Sequence, residues 1–162
     1  MALFRRSPAA RIKHAASLRQ AGDFPAAIDV LADVLTEDPN DTTANAEMAR
    51  ALRLIGDSAG AEEHLRIALK DVLDYQLVVE LAGVVAEQNR IKEAQDLIDA
   101  ALAMANGNPR LDPGEALLVR AVIEAGRGKK KQALAALDQI VPKRAGAQVK
   151  EYAARLREVL EG

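Results

Sequence analysis

Two histidines and one lysine-rich turn are the parts of this chain whose residue types could do chemistry. His14 and His64 lie far apart in the 162-residue sequence, which has no cysteine, and neither histidine has a second histidine one helical turn away. A zinc ion needs three or four protein ligands, which this pattern does not supply. We therefore expect no metal site and no cofactor, and interpret Glu62, Glu63 and His64 as the solvated face of a helix.

The second candidate is the stretch 126–131, which reads Gly-Arg-Gly-Lys-Lys-Lys. Phosphate-binding loops also combine glycine with lysine, but they follow a strand and end in Lys-Ser or Lys-Thr. The preferred interpretation is a tight turn followed by the first turn of a helix. Positive charges oppose the helix dipole at that end, so a use of Lys129–Lys131 in binding an acidic partner or an anionic surface stays open.

Motifs and charge disfavour other classes of function. The sequence has no Gly-x-Ser-x-Gly motif and no dinucleotide-binding motif, and its carboxylates are scattered, so no enzymatic activity is expected. A formal net charge of −2 and the absence of tryptophan argue against nucleic acid binding. No apolar run is long enough to form a membrane-spanning helix, which predicts no transmembrane segment, and the expected location is the cytoplasm.

The elements that would carry these residues are helices. Apolar residues make up 49% of the chain but aromatic ones only 2%, a composition rich in alanine and leucine that favours an all-α fold. The pattern of positions 15–35 returns twice further along the chain. The recurring small residues are Ala15, Ala49 and Ala82 in one helix, Gly22 and Gly56 in a turn, and Ala27, Ala61 and Ala94 in the next helix. A period of about 34 residues predicts stacked helix–turn–helix units.

Helix start and stop signals divide the chain. Ser7 before Pro8 is a typical helix start, and Asp38 before Pro39 is a typical helix end. The sequence predicts a flexible segment 1–7 and a single domain over 8–162. The domain comprises helix pairs at about 8–41, 42–74, 75–108 and 112–145, followed by a helix at 147–161 that covers the last apolar face.

The fourth pair is the least regular. Its second helix aligns with that of the third pair only at a longer spacing, which places Ala133 in the small-residue position of Ala94. The same shift places Glu124 where the earlier pairs have Leu18, Leu52 and Val85. Two explanations remain: the turn at 126–128 holds an extra residue that brings Ile123 inward, or this helix is partly exposed.

With this pattern the chain resembles the tetratricopeptide repeat family, whose unit is a helix–turn–helix of about 34 residues. The resemblance covers about residues 8–142 and rests on the recurring small residues and on the closing turn Asp38-Pro39-Asn40. The aromatic positions of the family hold aliphatic residues here, such as Leu31 and Leu65. The resemblance implies an α-solenoid, a right-handed superhelix of antiparallel helix pairs with a C-terminal capping helix.

By the same resemblance, the first helix of each repeat lines a concave groove that holds a peptide or helix. The residues placed there are Ile12, Ala16 and Arg19, then Ala46, Arg50 and Arg53, then Val79, Gly83 and Ala86, and, in an uncertain register, Leu118 and Val122. Three arginines at one end suggest a protein or peptide partner with acidic as well as aliphatic residues. The alternative is that these arginines are a solvated rim. The chaperone-binding clamp of the family is not expected, because its lysine and asparagine positions hold Ile12 and Ala16.

The leading hypothesis is therefore a non-enzymatic adaptor that binds a segment of a partner protein. The alternative is a structural scaffold that forms homo-oligomers through apolar residues exposed on the fourth pair or through displacement of the terminal helix. A monomer that captures specific proteins favours the adaptor, whereas a concentration-dependent dimer that captures none favours self-assembly.

Overall fold

The computed structural model describes residues 7–162, which form nine helices and no strand. The helices are α1 (Pro8–Gln20), α2 (Phe24–Glu37), α3 (Thr42–Leu54), α4 (Ser58–Ala68), α5 (Tyr75–Glu87), α6 (Ile91–Gly107), α7 (Gly114–Gly126), α8 (Lys130–Asp138) and α9 (Ala147–Glu161). Among these helices none is long and apolar enough to cross a membrane. The predicted flexible segment 1–7 lies outside the described residues except for Ser7, whose side chain caps α1 by accepting from the Ala10 N–H.

The four turns within the helix pairs share one backbone conformation. Each places one residue at positive φ: Gly22 at 87°, Gly56 at 85°, Asn89 at 61° and Gly128 at 73°. The following residue donates its N–H to a carbonyl five positions back, as in Asp23 to Leu18 at 3.0 Å. This is the Schellman ending of a helix, which favours glycine and tolerates asparagine. The turns that the repeat pattern predicts at Gly22 and Gly56 are confirmed, and the third pair has an asparagine in the same place.

The shared turn settles the register of the fourth pair. Lys129 donates to the Glu124 carbonyl at 2.9 Å, so Glu124 is the equivalent of Leu18 and the turn holds no extra residue. Ile123 and Glu124 are both buried, with exposures of 5% and 7%, so the helix is not exposed at this point either. Neither expected explanation holds in full. The longer spacing arises earlier, because α6 has 17 residues against 14 in α2 and the loop that follows it is longer.

Contacts group the chain into two compact units, Met1–Leu77 and Val78–Gly162. In the first unit, α2 packs against both α1 and α3, and α4 packs against α3. Leu31 and Leu65 are the largest fully buried side chains there, and the fully buried Ala15 and Ala27 belong to the same core cluster as Leu31. Small residues at these contacts let the helices approach closely. Pairs of helices stacked on their neighbours are what the repeat predicts.

In the second unit, α7 packs against α6 and α8, and α9 packs against both α7 and α8. Val149 of α9 is buried in this contact, and Leu156 and Leu160 pack on the same cluster. Arg144, in the loop before α9, donates to the Leu111 carbonyl at 2.6 Å and ties that loop to the loop before α7. The terminal helix therefore covers the last helix pair, as predicted.

Candidate binding groove

A cavity of about 360 Å³ lies between α1 and α3, the first helices of the first two pairs. Its lining residues are Ala9, Ile12, Lys13 and Ala16 from α1, and Asp41, Thr43 and Glu47 from the start and body of α3. The three apolar residues all belong to α1, whereas α3 contributes only polar side chains. The cavity therefore combines one apolar wall with one polar wall.

The polar wall contains a buried carboxylate. Glu47 is 8% exposed; its Oε2 accepts from Nε of Arg19 at 3.1 Å and its Oε1 accepts from Nη1 of Arg50 at 2.6 Å. Charge-assisted bonds of this kind offset the cost of removing a carboxylate from water. Glu47, Arg19 and Arg50 thus form one charge-paired cluster that joins α1 to α3.

The first unit contains six of the residues predicted to line a groove. Ile12 and Ala16 line the cavity, and Arg19 and Arg50 border it through Glu47. Ala46 is buried in the core, and Arg53 is exposed near the end of α3. Two of the three arginines expected to hold an acidic ligand, Arg19 and Arg50, are therefore paired with an acidic residue of their own chain.

The second unit contains the other five predicted residues. Val79 and Gly83 are buried in α5, and Ala86 is half-buried near its end. In α7, Leu118 packs against the cluster under α9, and Val122 is 54% exposed. Val122 is thus the one of these five that presents most of its side chain to solvent.

The prediction from sequence missed the polar residues of the cavity. Lys13 and Glu47 occupy the same position of consecutive repeats, immediately after the apolar position of Ile12 and Ala46. Charged residues recurring beside an apolar groove position were the signal that could have identified them. Asp41, the N-cap of α3, was not recognised as a groove residue because caps serve the backbone in most helices.

A second polar contact in the first unit involves a histidine. The side-chain amide of Asn45, which is fully buried, donates to the carbonyls of Pro39 and Asp41 at 2.9 Å, and its oxygen lies 2.7 Å from Nδ1 of His64. Because that amide oxygen can only accept, Nδ1 carries the proton. Burial lowers the pKa of His64, and the carboxylates of Glu63 and Asp57 partly oppose this. His64 is therefore half-buried and hydrogen-bonded, not part of a solvated face as expected.

The lysine-rich turn, the other candidate from the sequence, lies on the surface. Lys129–Lys131 are exposed, and Lys129 precedes α8 without a side-chain capping bond. Lys129 and Arg127 lie 3.9 and 3.2 Å from the carboxylate of Glu124, which also accepts from Gln95 at 2.6 Å. Within residues 7–162 no group of three or more histidine, aspartate or glutamate side chains is arranged to hold a metal ion.

Comparison with known proteins identifies the repeat. Residues 18–76 and 79–148 match sequence profiles described as tetratricopeptide repeats (TPR). The chain is 32% identical over 124 residues to the cellulose synthase operon protein C of Pseudomonas fluorescens (strain SBW25). That match covers 76% of this chain but only 9% of the relative's length.

Solved structures with the same fold include two TPR proteins. A thermophilic TPR protein of Thermus thermophilus has a TM-score of 0.78 at 19% identity, covering 95% of this chain and 83% of that one. YrrB, described as a TPR protein with an unusual peptide-binding site, has a TM-score of 0.64 at 18% identity, covering 93% and 76%. The helices and these likenesses together confirm the predicted all-α solenoid.

Proposed function

The chain belongs to the tetratricopeptide repeat family, whose fold is generally a protein–protein interaction module, and we propose that it is a non-enzymatic adaptor. In this proposal an extended peptide or a helix of a partner protein binds along the first helices of the repeats. The observation that carries it is the cavity between α1 and α3, which has an apolar wall and a polar wall. The peptide-binding site named for YrrB, a protein of the same fold, adds support.

The expected affinity is modest. Ordering a flexible peptide offsets much of the free energy gained from its contacts. A dissociation constant in the micromolar range is therefore expected for a single segment, which corresponds to a binding free energy of about −8 kcal/mol. Such an affinity suits a module that exchanges partners.

Substitution of a cavity residue tests the site. Peptides selected from a random displayed library on the purified protein are titrated against two variants, Ala16→Arg and Ala32→Arg. Ala16 lines the cavity, whereas Ala32 is exposed on α2, a second helix. The first variant fills the cavity and is expected to weaken binding at least tenfold, and the second is the matched control. Equal binding by both variants, or no selectable peptide, contradicts the proposal.

Self-assembly is the second candidate, and exposed apolar side chains in the second unit favour it. Val122, Val141, Tyr152 and Val159 are each about half exposed or more, with Val159 at 79%. Exposed apolar surface of this kind can mark an interface between protein chains. Sedimentation over a range of concentrations tests this: a dimer that dissociates in Val159→Glu supports a homo-oligomeric scaffold, and a monomer at every concentration rejects it.

A further inference from the structure

The polar side chains around the cavity differ in whether they are already bonded. The Asp41 carboxylate accepts the Ala44 N–H at 2.7 Å, and both oxygens of Glu47 accept from arginines. Lys13 is exposed at the cavity, and in the described part of the chain its ammonium group has no acidic partner. Lys13 is therefore the cation of this cavity with its hydrogen-bonding capacity still unused.

The charged side chains around the cavity also add up to a net positive charge. Lys13, Arg19 and Arg50 are positive, and Asp41 and Glu47 are negative. Arg19 and Arg50 share the single negative charge of Glu47, so that cluster stays net positive, and the carboxylate of Asp41 lies at the positive end of the α3 dipole. The surroundings of the cavity are therefore net positive, and Lys13 is the cation there that has no acidic partner in the described part of the chain. A carboxylate of a ligand meets an unpaired ammonium there, whereas a ligand cation meets three cations against two paired anions.

The opposite wall selects by shape and polarity. Ala9, Ile12 and Ala16 present only methyl and methylene groups, and the cavity of about 360 Å³ is more than ten times the volume of about 30 Å³ that one water occupies in the liquid. An aliphatic side chain that enters this space removes apolar surface from water on both molecules. The polar wall then lies beside the backbone or the next side chain of the same ligand.

We infer that this cavity takes an aliphatic side chain of a bound peptide and that Lys13 binds the carboxylate of a neighbouring aspartate or glutamate in that peptide. The inference rests on the proposed function and names its ligand. It also reassigns the recognition of acid from the groove arginines to Lys13. Arg19 and Arg50 position the cavity wall by holding Glu47.

A charge reversal with a matched control tests the inference. Peptides selected on the wild-type protein are titrated against Lys13→Glu and against Lys70→Glu, which makes the same charge change at another lysine of the first unit. Each selected peptide is also made with glutamine for glutamate and asparagine for aspartate. Circular dichroism checks that both variants keep their helices.

The expected result has three parts. Selected peptides carry an acidic residue next to an aliphatic one. Their affinity falls at least tenfold in Lys13→Glu and changes less than twofold in Lys70→Glu. Neutralising the peptide acid causes a similar loss in the wild type, and that loss disappears in Lys13→Gln. A non-additive result of this kind shows that the two groups are energetically coupled, as a direct ion pair requires.

Failures of the two proposals give different results. Peptides that lack an acid bias, or that lose the same affinity in both charge reversals, overturn the role of Lys13; if Ala16→Arg still weakens them, the groove itself stands. Peptides that bind Ala16→Arg as well as the wild type overturn both proposals, as does the absence of any selected peptide.

Discussion

The two compact units reach the same turn geometry with opposite charges at the start of the second helix. In the first unit, the side chains of Asp23 and Asp57 accept a backbone N–H at the N-termini of α2 and α4. In the second unit, Arg90 and Lys129 occupy the same position at α6 and α8 and make no side-chain capping bond. The backbone of the turn, with its positive φ residue, is therefore sufficient for the fold, and the cap residue is free to differ.

The interiors of the two units also differ, in that one has a polar contact where the other has an apolar one. Asn45 is fully buried in the first unit, and the position related to it in the fourth helix pair, which belongs to the second unit, holds the buried Leu117. The same relation links His64 with Ala136. A polar contact and an apolar one thus fill equivalent places between paired helices. The comparison indicates that small and aliphatic residues determine the stacking, while each unit adds polar groups of its own.

The largest effects are expected where the units agree. Leu31 and Leu137 occupy equivalent core positions, with exposures of 1% and 4%. Substitution of either by alanine leaves a cavity and should lower the free energy of unfolding by about 3 kcal/mol. Urea titrations followed by circular dichroism measure both variants. A loss below about 1 kcal/mol in one of them would show that its unit lacks an equally packed core.

The next effect concerns the polar contact that is confined to the first unit. Asn45→Leu leaves the carbonyl of Pro39 and the Nδ1–H of His64 without this partner, whereas the carbonyl of Asp41 keeps the backbone N–H of residue 45; the cost should be about 2 kcal/mol. The double variant with His64→Ala reproduces the leucine–alanine pair of the second unit. It should be more stable than Asn45→Leu alone. A further loss in the double variant would contradict the equivalence of these positions.

Removal of the buried carboxylate of the second unit should stabilise the protein, unlike the two changes above. Glu124 occupies the position that holds Leu52 in the first unit, and it is 7% exposed. Glu124→Leu removes the desolvation cost of the charge, and its partners can return to water because Arg127 and Lys129 are exposed and Gln95 is half-buried, so a gain of about 1 kcal/mol is expected. Glu124→Gln, which keeps the shape, is the control. Thermal unfolding of both should place the leucine variant highest.

Substitutions at the N-terminal cap positions of α4 and α8 should change stability in opposite directions. Asp57→Ala removes the bond to the Gly60 N–H and should cost about 1 kcal/mol. Lys129→Asp supplies such an acceptor to α8 and places a favourable charge at its N-terminus, but it also removes the cation that lies 3.9 Å from the Glu124 carboxylate, so the net gain should be at most about 0.5 kcal/mol. Lys129→Ala separates the two contributions, because it removes the positive charge without adding an acceptor. Urea unfolding of the three variants gives the values.

The smallest effect is a pH dependence expected from the first unit. Burial lowers the pKa of His64, so the folded protein favours the neutral imidazole. The contribution of this group to stability is present above its ordinary pKa of about 6.5 and is lost as the pH falls below that value towards the lowered one. Between about pH 7.5 and about pH 5.5, unfolding midpoints should fall more in the wild type than in His64→Leu. Equal shifts in the two proteins would exclude His64 as the source.

Much of the fold could be predicted because its determinants are local or periodic. Ser7 caps α1 as its place before Pro8 predicts, and Gly22 and Gly56 take the left-handed conformation of the predicted turns. Each of these features depends on residues within one turn of chain. The buried alanines follow from the period of the repeat, since equivalent residues meet equivalent neighbours.

The candidate site was predictable only in part. Ile12 and Ala16, which the resemblance assigned to a groove, line one cavity, whereas Arg19 and Arg50, which it treated as available for a ligand, are paired with Glu47. The pairing of Arg19 with Glu47 depends on the packing of α1 against α3, which brings together side chains 28 positions apart. A sequence pattern identifies the face of a helix, but it does not state which charges on two faces will meet.

The sequence by itself therefore determined the helices, their turns, the pairing period and the alanines that let neighbouring helices approach, because these depend on short-range backbone geometry and on residue size. Only the tertiary structure decided that Glu47 pairs with two arginines, that Glu124 is buried among Gln95, Arg127 and Lys129, and that Lys13 keeps an unpaired charge at the cavity. The physical reason is that electrostatic pairing depends on distances of a few ångströms between separate helices, and packing alone sets those distances.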